Sequence, residues 1–128
     1  MKKLVWIFLA VFLLTACGQI TENKQEEVYR NITAQQAKEI MDSQEGYIIL
    51  DARTQEEYQE GHIPGAILIP YDEILEKAES VLTDKNQLIL VYCRSGRRSK
   101  LAAEDLQKLG YTNIREFGGI IDWPYEVE

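Results

Sequence analysis

The sequence predicts an α/β fold: an open, mainly parallel sheet with helices on both faces. Three observations point to it. Residues 47–50 (YIIL) and 88–92 (LILVY) are short, unbroken apolar runs, which suit parallel strands buried on both faces. The segments between such runs repeat apolar residues at helical spacing. Two of these segments open on a capping box, Thr33 with Gln36 and Thr54 with Glu57, a signature of helix starts. A chain of 128 residues has room for one domain. With 45% apolar and 27% charged residues it is built for a packed core rather than for disorder.

The chain opens with Lys2 and Lys3 before an apolar run over residues 4–14. As a helix that run spans about 16 Å, half of a roughly 30 Å hydrocarbon core. It therefore reads as the apolar region of a signal peptide, not as a spanning helix. The run ends in Leu14-Thr15-Ala16-Cys17, which resembles the lipobox of bacterial lipoproteins. That resemblance implies that residues 1–16 are removed and that Cys17 is lipidated and becomes the new N-terminus. Two or more acyl chains anchor stably where one is marginal. The other reading is an ordinary secretory signal with Cys17 incidental. Residues 18–27 (GQITENKQEE) are polar and aperiodic and read as a tether, reaching at most about 35 Å. The expected division is a signal peptide over 1–16, a lipidated Cys and tether over 17–28, and a folded domain over 29–128. The domain is expected on the extracytoplasmic face of a bacterial membrane, held there by lipid.

Within the domain, residues 29–32 are a weak candidate first strand. Ala37, Ile40 and Met41 form one face of the helix that follows Thr33. Residues 47–50 make the second strand, and the helix after Thr54 ends before Gly61. Residues 66–69 make a third strand, stopped by Pro70, whose nitrogen has no hydrogen to donate. Residues 71–81 carry Ile74, Leu75 and Ala78 at helical spacing, with Leu82 just beyond. Residues 88–92 form the fourth strand. Residues 99–109 form a helix with Ala102, Leu106 and Leu109 on one face and Gly110 as its cap. Residues 114–117 form the last strand.

Charge and cysteine content exclude several functions. Fourteen basic against 21 acidic residues leave a net charge of −7, which argues against nucleic-acid binding. One His and two Cys exclude a zinc site built from several such ligands, and equally a disulfide-dense scaffold. With Cys17 lipidated, Cys93 has no partner, and an internal dithiol cycle is excluded. A leftover Cys in an exported chain suggests an intermolecular bridge or a free reactive thiol, beside the reading of a buried, inert apolar residue.

The neighbours of Cys93 favour reactivity. In open α/β sheets, ligands bind beyond the carboxyl ends of the strands. Two segments fall there: Asp51-Ala52-Arg53 and Cys93-Arg94-Ser95-Gly96-Arg97-Arg98. The second leaves a buried strand and enters a helix. The first amides of that helix lack partners within it and face an anion. Gly96 permits the backbone angles of an anion-binding turn. Arg94, Arg97, Arg98 and Lys100 stand together without an acid between them. Such settings favour thiolate over thiol, with pKa values of about 3.5–7.5.

These residues resemble the rhodanese family of sulfurtransferases, in a single-domain form. CRSGRRS (93–99) is similar to the family's active-site loop. Leu50-Asp51-Ala52-Arg53, Glu57-Tyr58, Gly61-His62-Ile63-Pro64-Gly65-Ala66 and Ile69-Pro70 are similar to its N-terminal motif. Gly118-Gly119 followed by Trp123 is similar to its C-terminal motif. The resemblance covers residues 29–123. It implies that Cys93 attacks the outer sulfur of a small anionic donor such as thiosulfate, carries it as a persulfide, and yields it to a thiol or cyanide. Arg94, Ser95, Gly96, Arg97 and Arg98 would form the donor-binding loop. No cofactor and no metal are implied.

Two further readings stand beside this one. A rhodanese-like module can bind a partner or carry persulfide sulfur without turnover. Related phosphatases and arsenate reductases use a loop one residue longer, with Arg at the sixth position after Cys; here that position is Ser99. The residues around the loop are expected to support it rather than react. Asp51 and Arg53 read as an ion pair orienting loops, His62 as a hydrogen-bonded structural residue, Trp123 as core, and Glu56 and Glu57 as ordinary solvated acids.

Overall fold

The computed structural model describes residues 27–128. The expected leader, Cys17 and residues 18–26 of the tether lie outside the described residues. In chain order the elements are β1 (Tyr29–Asn31), α1 (Ala34–Ser43), β2 (Ile48–Asp51), α2 (Gln55–Glu60) and β3 (Ile67–Leu68). A 3-10 turn (Tyr71–Glu73), α3 (Ile74–Val81), β4 (Ile89–Cys93), α4 (Arg97–Lys108) and β5 (Ile114–Gly119) follow, and a second 3-10 turn (Ile120–Asp122) closes the series. The five strands pair in the order β1-β5-β4-β2-β3, and every pair is parallel.

β4 lies at the centre, and all five of its residues are buried. Alternation along the strand splits them between two cores. Ile89, Val91 and Cys93 join Ala102, Ala103 and Leu106 of α4 and Ile74 and Ala78 of α3. Leu90 and Tyr92 face the other way, toward Ala37 of α1, Ile63, Phe117 and Trp123. Helices thus cover both faces, as the sequence predicts. α2 buries none of its residues and lies at the periphery.

Local chemistry explains the element starts. Thr33 accepts the Gln36 amide at 3.1 Å, and the Gln36 side chain accepts the Thr33 amide at 2.9 Å. Thr54 and Glu57 repeat the device at α2. Four expected boundaries move. The third strand keeps only two residues, because the Ala66 amide closes a turn onto Ile63 O at 3.0 Å. The helix expected over 71–81 begins as a 3-10 turn: the Tyr71 amide donates to Ala52 O, and the Glu73 amide reaches Pro70 O, three residues back. β5 runs two residues beyond Phe117. The last helix starts at Arg97 rather than Ser99, because Gly96 is its N-cap with φ +108. Arg is a good helix former, so Arg97 and Arg98 belong to the first turn of α4 and not to the loop.

Candidate active site

The carboxyl end of β4 delivers Cys93, and only Arg94, Ser95 and Gly96 separate it from α4. The Gly96 amide donates to Cys93 Sγ at 3.0 Å. On its other side Sγ lies 3.3 Å from the Ser99 hydroxyl. Two glycines make this turn possible. Gly96 holds a left-handed conformation that side chains resist. At Gly119 an added Cβ would sit 1.9 Å from Arg94 O and 2.5 Å from Ser95 N, so β5 meets the loop backbone to backbone.

Beneath the loop lies a carboxylate that sequence reasoning missed. Glu116 on β5 is fully buried. Its Oε1 accepts the Ser99 hydroxyl at 2.6 Å and the Gly118 amide at 2.8 Å. Asn31 of β1 donates to Oε2. A buried carboxylate needs such donors. The Ser99 hydroxyl has one proton and three acceptors in reach: Glu116 Oε1, Gly96 O at 3.0 Å and Gly118 O at 3.4 Å. While Cys93 is a thiol it donates to Ser99; as a thiolate it accepts from the Gly96 amide, and from Ser99 only where that single proton leaves Glu116. A signal for Glu116 exists only in retrospect. In a strand pairing on both edges, a polar residue among inward positions needs a buried partner.

The basic residues divide into two sets. Arg98 is half-buried and makes a bidentate pair with Glu57, at 2.6 and 2.9 Å. Glu57 is therefore not the ordinary solvated acid expected. Hydrogen bonds from Arg98, aided by the Thr54 cap, hold its carboxyl down at about 2 against the opposing effect of burial. Arg98 in turn keeps its charge chiefly through Glu57, with the nearby Cys93 adding to the effect. Arg98 is thus the arginine of this segment that the fold holds in place, on Glu57, while Arg94, Arg97 and Lys100 are exposed.

Asp51 and Arg53 form the ion pair expected of them, Nη2 to Oδ2 at 2.7 Å, with both groups buried. Arg53 also donates to Gly61 O at 2.7 Å. The Tyr92 hydroxyl donates to Asp51 at 2.7 Å and accepts the Ile63 amide at 3.1 Å. Burial, and next the bond to Asp51, push the Tyr92 phenol above its ordinary range. This cluster ties the ends of β2 and β4 to the 61–63 turn. His62 stands apart from the sulfur. Its Nδ1 lies 2.8 Å from Tyr58 O, its ring stacks on Tyr58 at 3.8 Å, and its Nε2 is 3.3 Å from Glu128. Trp123 packs on Phe117 in the second core. Among the described residues, no group of three His, Cys, Asp or Glu could hold a metal ion.

Chemically, the site sets a cysteine sulfur against an amide donor, with the Arg98 guanidinium held by Glu57 on the first turn of the helix that follows. The sixth position after Cys93 carries a hydroxyl near the sulfur where a phosphatase would carry a guanidinium. Cys93 has no exposed surface, so a donor reaches Sγ only when the side chain turns or the loop shifts.

A family model described as a rhodanese-like domain matches residues 33–124. The chain belongs to the rhodanese-like family. Thiosulfate sulfurtransferase PspE of Escherichia coli is 42% identical over 73 residues, covering 57% of this chain and 70% of that protein. The putative sulfur carrier protein YrkF of Bacillus subtilis is 38% identical over 98 residues, covering 76% of this chain and 52% of that protein. Among solved structures, an E. coli rhodanese with anions superposes with a TM-score of 0.60 at 38% identity, over 64% of this chain and 96% of that one. These relatives support sulfur transfer as the general chemistry of this rhodanese-like domain.

Proposed function

We propose that this rhodanese-like domain is a sulfurtransferase that moves a sulfane sulfur from a small anionic donor such as thiosulfate to a thiol or cyanide. The Cys93 thiolate attacks the outer sulfur of thiosulfate. The new S–S bond forms as the sulfur–sulfur bond of the donor breaks, and sulfite leaves with the electron pair. An acceptor nucleophile then attacks the terminal sulfur, and the electron pair of the breaking bond returns to Cys93. No net oxidant is needed. The Gly96 amide offers a hydrogen bond to the anionic sulfur, and Arg98 offers charge. The observation that carries the reading is the Gly96 amide on Cys93 Sγ at 3.0 Å, at the end of a buried strand and under a basic turn.

Intact mass after incubation with thiosulfate tests it. The protein should gain one sulfur atom, lose it to cyanide, and gain none as Cys93→Ser, which should keep its fold. Sulfur loading that persists in Cys93→Ser would refute the mechanism. The likeness to a named sulfur carrier supports a second reading, a persulfide relay fed by a protein donor. That reading holds if Cys93 loads from a protein persulfide but not from thiosulfate. The proposal also places the protein on the extracytoplasmic face of a bacterial membrane, held through lipid on Cys17. Cys17→Ala should move it from the membrane fraction to the soluble one.

A further inference from the structure

The positive charges of the domain are distributed unevenly between paired and unpaired. Among the described residues, every Lys and Arg outside the Cys93 loop, Arg115 apart, reaches a carboxylate within ion-pair distance, and Arg115 donates to the Glu27 and Ile114 carbonyls. Arg98 is occupied by Glu57. Among the described residues, Arg115 again apart, the three cations without a carboxylate partner are Arg94, Arg97 and Lys100, which all stand around Cys93 and are all exposed. In a chain with 21 acidic residues against 14 basic ones, acids are not scarce, yet none pairs with these three.

Two exposed aliphatic side chains accompany them. Leu101 lies one turn after Arg97 on α4 and is 36% exposed; Ile121 is 62% exposed. The Ile121 amide donates to Arg94 O at 3.3 Å, which sets Ile121 beside the loop. Ser95, Gly96, Arg97, Lys100 and Leu101 line one recess of about 500 Å³. A small dianion such as thiosulfate has no apolar surface to set against Leu101 or Ile121. Cations bordered by aliphatic surface suit a polypeptide carrying acidic and apolar side chains.

From this we infer that the Arg94–Arg97–Lys100 rim, with Leu101 and Ile121, is the docking surface for an acidic polypeptide whose cysteine thiol accepts the sulfur. The inference rests on the sulfurtransferase reading for its chemistry, not for its binding. The acceptor thiolate attacks the terminal sulfur of the Cys93 persulfide and forms a new S–S bond. The Cys93 S–S bond breaks, its electron pair stays on Sγ, and the acceptor leaves as the persulfide. An anionic membrane surface is the less favoured occupant, because the chain carries a net −7 and would be repelled over most of its surface.

Three cysteine peptides of equal length test the inference, with flanks of Glu and Leu, of Ser, and of Lys. The protein is loaded with thiosulfate, freed of excess, and followed by intact mass as each peptide discharges it. The acidic peptide should discharge the persulfide about tenfold faster than the Ser peptide at low salt, and the Lys peptide slowest. High salt should collapse the order. Arg97→Glu with Lys100→Glu should reverse it. Leu101→Ser with Ile121→Ser should slow the acidic peptide while leaving discharge by mercaptoacetate unchanged. Rates that ignore flank charge, or an order that survives the double Glu variant, would overturn the inference. Serine versions of the peptides, titrated against the unloaded protein, read the rim without any sulfur chemistry. If thiosulfate fails to load Cys93 yet the acidic peptide still binds selectively, the sulfurtransferase reading fails and the docking surface stands. Equal binding of all three peptides, or binding to phosphatidylglycerol vesicles in their place, would sink it.

Discussion

Cys93 Sγ has an amide on one side and a hydroxyl on the other, and the hydroxyl is itself held by a buried carboxylate. Ser99→Ala removes the hydroxyl that touches both Sγ and the Glu116 carboxylate and should slow persulfide formation on the order of tenfold. The fold should survive, and single-turnover mass measurements would show the change. Glu116→Leu is a different kind of change. It strips the acceptor from the Gly118 amide and from Asn31 together and leaves the Ser99 proton to a backbone carbonyl. Each buried donor left unpaired costs about 1–3 kcal/mol, so this variant should unfold at markedly lower denaturant, whereas Glu116→Gln keeps the volume and part of the bonding. A Glu116→Leu variant as stable as the parent would contradict the network. Gly119→Ala should displace the loop, since its Cβ would fall 1.9 Å from Arg94 O. At this scale Cys93 is legible in the sequence, because strand end, glycine turn and clustered arginines lie side by side in the chain. Glu116 is not legible, because its partners Ser99 and Asn31 come from other elements and its strand is short and mixed.

Elements are held in register by polar links that span them. The Glu57–Arg98 pair joins α2, which packs on the core only through the partly buried Tyr58, to the first turn of α4. The Glu57 carboxyl is held at about 2, below its ordinary 4.5, because the folded state favours the charged form. Its contribution to stability is therefore present above about pH 4.5 and is lost as the pH falls toward 2. As a partly solvated pair it is worth only about 1 kcal/mol. Glu57→Gln should cost that much at pH 7 and little at pH 2. It should also raise the KM for thiosulfate, because Arg98 is no longer fixed. Equal losses at both pH values would argue against the pair. Tyr92 works in the opposite pH range. Its phenol is pushed up by burial and by the bond to Asp51, so its contribution is complete below its ordinary value of 10.0 and fades as the pH rises beyond it. Tyr92→Phe leaves Asp51 short of a donor and the Ile63 amide short of an acceptor, and should cost about 1–3 kcal/mol at pH 7, read from urea unfolding. Strands and capped helices are visible in sequence because apolar runs and capping boxes are local. The 3-10 start at Tyr71 and the clipped third strand follow from bonds to Ala52 and Ile63, which no local pattern carries.

The parallel sheet gives the whole molecule two unlike ends. Tyr29, the first residue of β1, pairs with Ile114, and Ile114 pairs with Ile89, the first residue of β4. All three stand at the amino-terminal edge of the sheet. Cys93 closes β4 at the opposite edge, four residues and about 13 Å further along the strand. The chain preceding β1 therefore enters the domain at the end away from the sulfur. With Cys17 lipidated as proposed, the tether would pull the amino-terminal edge toward the membrane and leave the Arg94–Arg97–Lys100 rim facing the aqueous side. That arrangement suits a rim that receives a polypeptide, and it spares the three unpaired cations from anionic lipid. Thioether formation at Cys17, as proposed, would leave Cys93 as the one free thiol of the processed chain, so that alkylation would read its access directly. Iodoacetamide should label Cys93 at the same rate in the membrane-bound protein and in the Cys17→Ala form released from the membrane. Deleting residues 18–24 should change neither rate, because shortening the tether brings the far edge closer and not the loop. Labelling slowed several-fold on the membrane, and slowed further by the deletion, would place the loop against the lipid and reverse the orientation.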